Sequence, residues 1–261
     1  MTELPFVITE GTYRRRIELR PRPGVVTAAM EDYLHHFALR LHHTDGVVTG
    51  VDLSADRTPW TTCGDGARGL AALIGTPLAS VGDVTTWIGS RSSQCVHTTD
   101  LAVLAAAAAL RGEDRDYEVR MTDLATPERR ITMWIDGAEW ATWVIAANAV
   151  VDDDRSGRFA GLPLDAAGFS QWMTEHLADD EREPAAVLRR ASSIGIGRGI
   201  AIDSWDRATE ASNPPESCHS FRSDIVQLGR RNRGSQRATE DDALGAALPA
   251  PASWESLTSH D

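Results

Sequence analysis

Phe37-Ala-Leu-Arg-Leu41, Thr44-Asp-Gly46 and Val47-Val-Thr-Gly-Val-Asp-Leu53 follow one another in the stretch that decides the fold. The first run alternates apolar and polar side chains, the period of a strand with one buried face. The last run does so less cleanly. Asp-Gly between two such runs is a strong hairpin signal, because a tight turn needs residues that tolerate positive φ. The β signal extends over residues 30–56 and predicts an antiparallel meander with one wet face.

Upstream, Tyr13 to Arg20 reads as a short strand that Pro21-Arg-Pro-Gly24 breaks. Downstream, Pro59-Trp-Thr-Thr-Cys-Gly-Asp-Gly66 has the composition of a loop. Ala67 to Ile74 has helical spacing, with Leu70, Leu73 and Ile74 on one side, and Gly75-Thr-Pro77 stops it. Val84 to Ile88 is expected to form a short helix or turn. Cys95-Val-His-Thr-Thr-Asp100 leads into an alanine-rich helix over 101–110, capped by Thr98 or Thr99. The β signal returns over 117–124 and 130–151, with a turn at Asp136-Gly137. Helices are expected over 168–178 and 184–192.

These elements predict an α+β fold. Residues 11–112 form a β-meander packed with helices and carrying the Cys/His loops. Residues 113–237 form a second, mixed α/β half of the same or a neighbouring domain. The polar, Ala/Pro/Ser-rich tail 238–261 is expected to be disordered.

The chain has 261 residues, 42% of them hydrophobic, enough for a sizeable core in one large domain or two small ones. Its formal net charge of −12 argues against non-specific nucleic-acid binding, which needs dense Lys and Arg to displace counterions. It equally argues against docking on an anionic membrane. The longest apolar run, Leu101 to Leu110, is far short of the roughly 20 residues of a spanning helix. Met1-Thr-Glu-Leu-Pro-Phe6 lacks the charged start and apolar stretch of a secretion signal. A cytoplasmic location is expected. The odd count of cysteines, Cys63, Cys95 and Cys218, does not form a secreted disulfide framework.

Chemistry is expected first at the cysteine loops. Cys63 and Cys95 each precede a helix, whose N-terminal dipole end favours thiolate. With His97 they suit a soft metal such as zinc, or an iron–sulfur cluster, and Asp100 would add an oxygen ligand or orient His97. The competing reading makes both cysteines small buried hydrophobes. A second set lies in Glu31-Asp-Tyr-Leu-His-His36. Read as strand, it places Glu31, Tyr33 and His35 on one face and Asp32, Leu34 and His36 on the other. A carboxylate beside an imidazole serves as an acid–base pair or as metal ligands. Ser193-Ile-Gly-Ile-Gly-Arg-Gly199 matches neither phosphate-loop pattern, and no Gly-x-Ser-x-Gly elbow is present. Cys218-His-Ser-Phe-Arg222 and the arginines 230, 231, 233 and 237 form a further candidate, as a clamp for phosphate or carboxylate.

Arg14-Arg-Arg-Ile17, Met30-Glu-Asp-Tyr-Leu-His-His-Phe37, Pro59-Trp-Thr-Thr-Cys63, Leu73-Ile-Gly-Thr-Pro-Leu78 and Cys95-Val-His-Thr-Thr-Asp-Leu101 occur in that order. As an ordered set they resemble the domain of unknown function (DUF) 2889 family, from about residue 11 to the 218–237 region. Members often have Cys-Thr-His-Leu where this chain has Cys95-Val-His97-Thr98. The resemblance implies a shared role for Cys63, Cys95 and His97, but names no reaction. The order of hairpin, cysteine loop, helix, cysteine loop and helix is also similar to that of iron–sulfur scaffold proteins, in layout alone. The expected function is an enzyme of lyase, hydratase or hydrolase type acting on a small metabolite. Cys63, Cys95 and His97 would form its centre, with Glu31, Asp32 or His36 as acid–base partner. The alternative is a non-catalytic metal or iron–sulfur scaffold.

Overall fold

A computed structural model of the chain describes residues 12–78, 94–122, 126–211, 213–237 and 248–258. It has the α+β fold expected, with nine antiparallel strands and four α-helices among those residues. The chain divides into two compact units. Residues 202–237 pack with the N-terminal half, so the first half is completed by chain that follows the second.

The unit that holds the candidate site comprises residues 17–115, 202–237 and 247–261. Its strands β1 (Tyr13–Arg22, from Ile17 onward), β2 (Val25–Asp32), β3 (His36–Thr44) and β4 (Val47–Arg57) are neighbours in chain order. β1 runs two residues past the expected break, through Pro21 and Arg22, and Pro23-Gly24 is the tight turn to β2, with Gly24 at the positive φ of 77° that it needs. Asp45 and Gly46 both have positive φ in the turn joining β3 to β4, as the Asp-Gly signal predicts. β4 ends the meander with an unpaired edge, which β9 (Glu255–Leu257) covers through Val51, Asp52 and Leu53. Residues 248–258 thus depart from the expected disordered tail. Backbone pairing and the Arg40 guanidinium, 4.0 Å over the Trp254 ring, hold them in place.

Helix α1 (Cys63–Arg68) continues as a 3-10 turn, Gly69–Leu73. The expected helix therefore starts four residues early, inside the stretch read as loop. Helix α2 (Val96–Arg111) packs on β2 and β3. Its alanines, many fully buried, let it approach the sheet closely, and Gly112 ends it at φ 77°. The reading of residues 84–88 lies outside the described residues.

The other unit holds β5 (Arg115–Thr122), β6 (Glu128–Ile135), β7 (Ala138–Ala146) and β8 (Ala149–Val150), paired in sequence. Helices α3 (Ala166–His176) and α4 (Asp179–Gly195) belong to it. The glycine-rich segment from Ser193 is the end of α4 and a 3-10 turn, not a phosphate loop.

Leu101, 1% exposed, anchors α2 among the apolar side chains of its unit. Leu101→Ala is expected to cost about 2–5 kcal/mol, since the cavity it leaves is only partly closed by relaxation. Urea denaturation of the full chain measures this loss.

Candidate functional site

The segment Glu31 to His36 does not run as a continuous strand. β2 ends at Asp32 and β3 begins at His36, with a turn between. The Asp32 carboxylate creates that turn. Its Oδ1 accepts hydrogen bonds from the Leu34 N–H, the His35 N–H and His35 Nδ1, each at 2.9 Å. The Asp32 N–H donates to the His35 carbonyl at 2.9 Å. An aspartate that bonds its own backbone two and three residues on is a turn former, and it overrides strand alternation. Asp32 and His35 are therefore brought together, whereas the strand reading sets them on opposite faces.

The His35 ring lies against His97, with ring centroids 3.9 Å apart and planes 30° apart. His97 stands in the first turn of α2, which packs on the same strands. Phe37 flanks both rings at about 6 Å. Among the described residues, Asp32, His35 and His97 form a buried group whose ligand-type atoms all lie within 4.8 Å of one another. On its other side, His97 Nδ1 is 4.0 Å from Cys95 Sγ.

The cysteines belong to three segments that meet at Gly66. The Cys95 N–H donates to the Gly66 carbonyl at 2.9 Å, and the His219 N–H donates to the Gln94 carbonyl at 3.1 Å. A Cβ on Gly66 would stand 2.6 Å from His219 Cβ and 3.1 Å from Cys95 N, so only glycine fits without displacement. Cys63 Sγ is 3.5 Å from Ser220 Oγ, which accepts from Thr62 Oγ1 at 2.9 Å. Burial pushes the Cys63 thiol up to about 12, and the nearby Cys95 and Cys218 sulfurs add to the rise. Burial raises Cys95 as well, and pushes Cys218 up to about 11, with Cys95 adding to it. The expectation of helix-favoured thiolates is thereby corrected. Desolvation outweighs the dipole of a six-residue helix at Cys63 and that of α2 at Cys95. Asp100, half-buried in α2, lies outside the group of close ligand atoms, but its charge helps to raise Cys95.

Of the remaining candidates, His36, Arg233 and Arg237 line a cleft of about 560 Å³, with Asp56, Arg57 and Asn232. His36 Nδ1 is 3.6 Å from Asp56 Oδ2. Asp56 is itself held by Ser54 Oγ at 2.6 Å and the Ala252 N–H at 2.7 Å. His36 Nε2 is buried and makes no hydrogen bond to the described residues. Burial pushes the His36 pKa down, and Arg57 and Arg237 add to this while Glu31 and Asp56 oppose it. Arg57 ties the cleft to the turn. Its guanidinium donates to Glu31 Oε1 at 2.8 Å, to the Asp32 and His35 carbonyls at 2.8 and 3.2 Å, and to the Ser235 carbonyl at 2.9 Å. Glu31 is thus neutralised by Arg57, with Arg237 3.7 Å away. Arg231, by contrast, is buried on the Pro59 carbonyl and Asp203.

Sequence reasoning did not single out His35 over its neighbours, nor Asp56 and Arg57, nor join Cys218 to the other cysteines. The Asp-x-x-His spacing carried the signal for His35, because it is the spacing of an aspartate-capped turn. No family model, curated protein or solved structure matches the chain.

The raised thiols have a consequence for stability. In the unfolded chain Cys63 ionises near 9.0, and in the folded protein it stays protonated to about 12. The folded state then holds a proton that the unfolded state loses, so stability is full below pH 9 and falls as pH rises above it. Chemical denaturation between pH 8 and pH 11 is expected to show this decline, and Cys63→Ala to flatten it. Alkylation of native protein by iodoacetamide at pH 8 should be slow at Cys63 and fast once urea unfolds the chain.

Proposed function

We propose that the protein is a cytoplasmic enzyme acting on a small anionic metabolite by lyase, hydratase or hydrolase chemistry, with His36 as the group that moves the proton. The observation that carries this reading is His36 Nε2, buried without a hydrogen-bond partner among the described residues, on a side chain that lines a cleft. Asp56 Oδ2, 3.6 Å from Nδ1, puts its negative charge beside that nitrogen, and in this reading Nε2 is the base. Arg57, Arg233 and Arg237 border this cleft; Arg57 is paired with Glu31 and Arg233 with Asp206, which leaves the largely exposed Arg237 as the cation placed to meet a substrate carboxylate or phosphate. The absence of a nucleotide-binding motif fits proton-transfer chemistry rather than hydride transfer. Similarity of the ordered motifs to the DUF2889 family belongs to the same reading and adds no reaction.

A second reading, a non-catalytic metal or iron–sulfur scaffold, has its own support. The segments bearing Cys63, Cys95 and Cys218 converge, and His97 adjoins Cys95. It requires a stoichiometric metal that Cys63→Ser and Cys95→Ser each abolish.

Isothermal titration with acetate, succinate and inorganic phosphate tests the cleft. Saturable binding of one of them is expected, weakened about tenfold or more in Arg237→Ala, whose side chain is 60% exposed and expendable for folding. Turnover is screened on 2-hydroxy and α,β-unsaturated carboxylates by the absorbance of the conjugated double bond. His36→Gln should then lower kcat by about 10²–10⁴-fold with binding retained. Absence of both binding and turnover would remove the proposal.

A further inference from the structure

We propose that Asp32, His35 and His97 form a binding site for one divalent transition-metal ion of the zinc and iron(II) class. The site is distinct from the cleft and does not use the thiols, so it stands whether or not His36 is catalytic.

Three features carry the inference. The first is the donor set. Two imidazoles and one carboxylate match borderline cations such as Zn²⁺ and Fe²⁺, whereas Mg²⁺ and Ca²⁺ take oxygen ligands and Cu⁺ takes sulfur. The second is spacing. Asp32 Oδ1 and His35 Nδ1 are already 2.9 Å apart, and a ligand atom of His97 lies within 4.8 Å of both residues' donors. Ligand atoms at about 2.1 Å from a metal stand roughly 3–3.5 Å from each other, so closure asks the His97 ring to turn out of its stack on His35 until its lone pair points at the ion. The third is enclosure by rigid elements. The Asp32 side chain is fully buried and that of His35 nearly so. One ligand pair is fixed by a hydrogen-bonded turn, and the third ligand sits in the first turn of a 16-residue helix packed on the same strands. Ligands held this way lose little freedom on binding.

In the metal-bound form the ion takes the place of the hydrogen between Asp32 Oδ1 and His35 Nδ1, and His35 ligates as the neutral tautomer that carries its proton on Nε2. Asp32 keeps its bonds from the Leu34 and His35 N–H groups, which hold the carboxylate in position while it ligates. A set of three protein ligands leaves coordination positions open, the pattern of catalytic rather than structural sites.

The test uses the full chain, treated with EDTA, desalted, and titrated with Zn²⁺ by calorimetry and with Co²⁺ by absorption. One ion per chain is expected, with visible Co²⁺ bands and no intense near-ultraviolet sulfur-to-cobalt band. Asp32→Asn, which keeps an oxygen for the turn, and His97→Gln should each weaken Zn²⁺ binding at least tenfold, while Cys95→Ser changes it less than about twofold. Metal-free melting curves show whether each variant is folded. The proposal falls if the wild-type chain shows no stoichiometric binding, if a sulfur-to-cobalt band accompanies it, or if folded variants bind as well as the wild type. The wild-type titrations decide the matter even where a variant does not fold.

Discussion

One oxygen atom organises this site. Asp32 Oδ1 gathers two backbone N–H groups and one imidazole nitrogen. A buried carboxylate without such donors would shed its charge or unfold its surroundings. Bonded in this way, it reverses the chain between β2 and β3 within three residues. Everything that follows inherits that reversal. His35 is delivered to the His97 ring, and His36, the next residue, starts β3 and borders the cleft. A longer or slacker turn would leave the two histidines free to sample other orientations, and neither environment would be fixed.

Arg57 is the second fastening. It sits at the end of β4 and reaches the Asp32 and His35 carbonyls, Glu31, and the Ser235 carbonyl. The chain around Ser235 is separated from the meander by far more sequence than the hairpins span, and local patterning cannot announce such a contact. A guanidinium can serve four acceptors at once because its donors are arrayed in a planar fork, and a lysine in its place would leave most of them unpaired. The Glu31 carboxylate is one of those acceptors, paired with the Arg57 guanidinium at 2.8 Å.

What the sequence revealed follows the same division between local and distant forces. The meander was legible because alternation and the Asp45-Gly46 turn are local signals, and α2 was legible because alanine-rich runs have high helix propensity. The turn at Asp32 was misread because Glu31 to His36 consists of residues that strands tolerate, and a single side-chain oxygen decided otherwise. The start of α1 was hidden because Cys63-Gly-Asp-Gly66 has a loop's composition; the Gly66 position is dictated by the crowding of His219 and Cys95, a tertiary cause. The order in the tail escaped for a similar reason. Only the exposed edge of β4 makes an extended segment there worth pairing. The place of Cys218 was out of reach because its convergence with the other two cysteines depends on residues 202–237 rejoining the unit of residues 17–115 after the intervening chain 116–201.

The two neighbourhoods differ in what surrounds their polar atoms. Around the cysteines the dominant effect is removal of water, and each sulfur near another makes ionisation of both harder. Such thiols are poor nucleophiles at neutral pH, and a covalent mechanism built on Cys63 would have to overcome a pKa of about 12. At Asp32, by contrast, the buried carboxylate oxygen accepts three hydrogen bonds, and the stacked His35 and His97 rings stand beside it. The two sets of residues adjoin, with His97 Nδ1 4.0 Å from Cys95 Sγ. Hydrogen bonding at the carboxylate and loss of water at the thiols separate the two sets more sharply than that distance does.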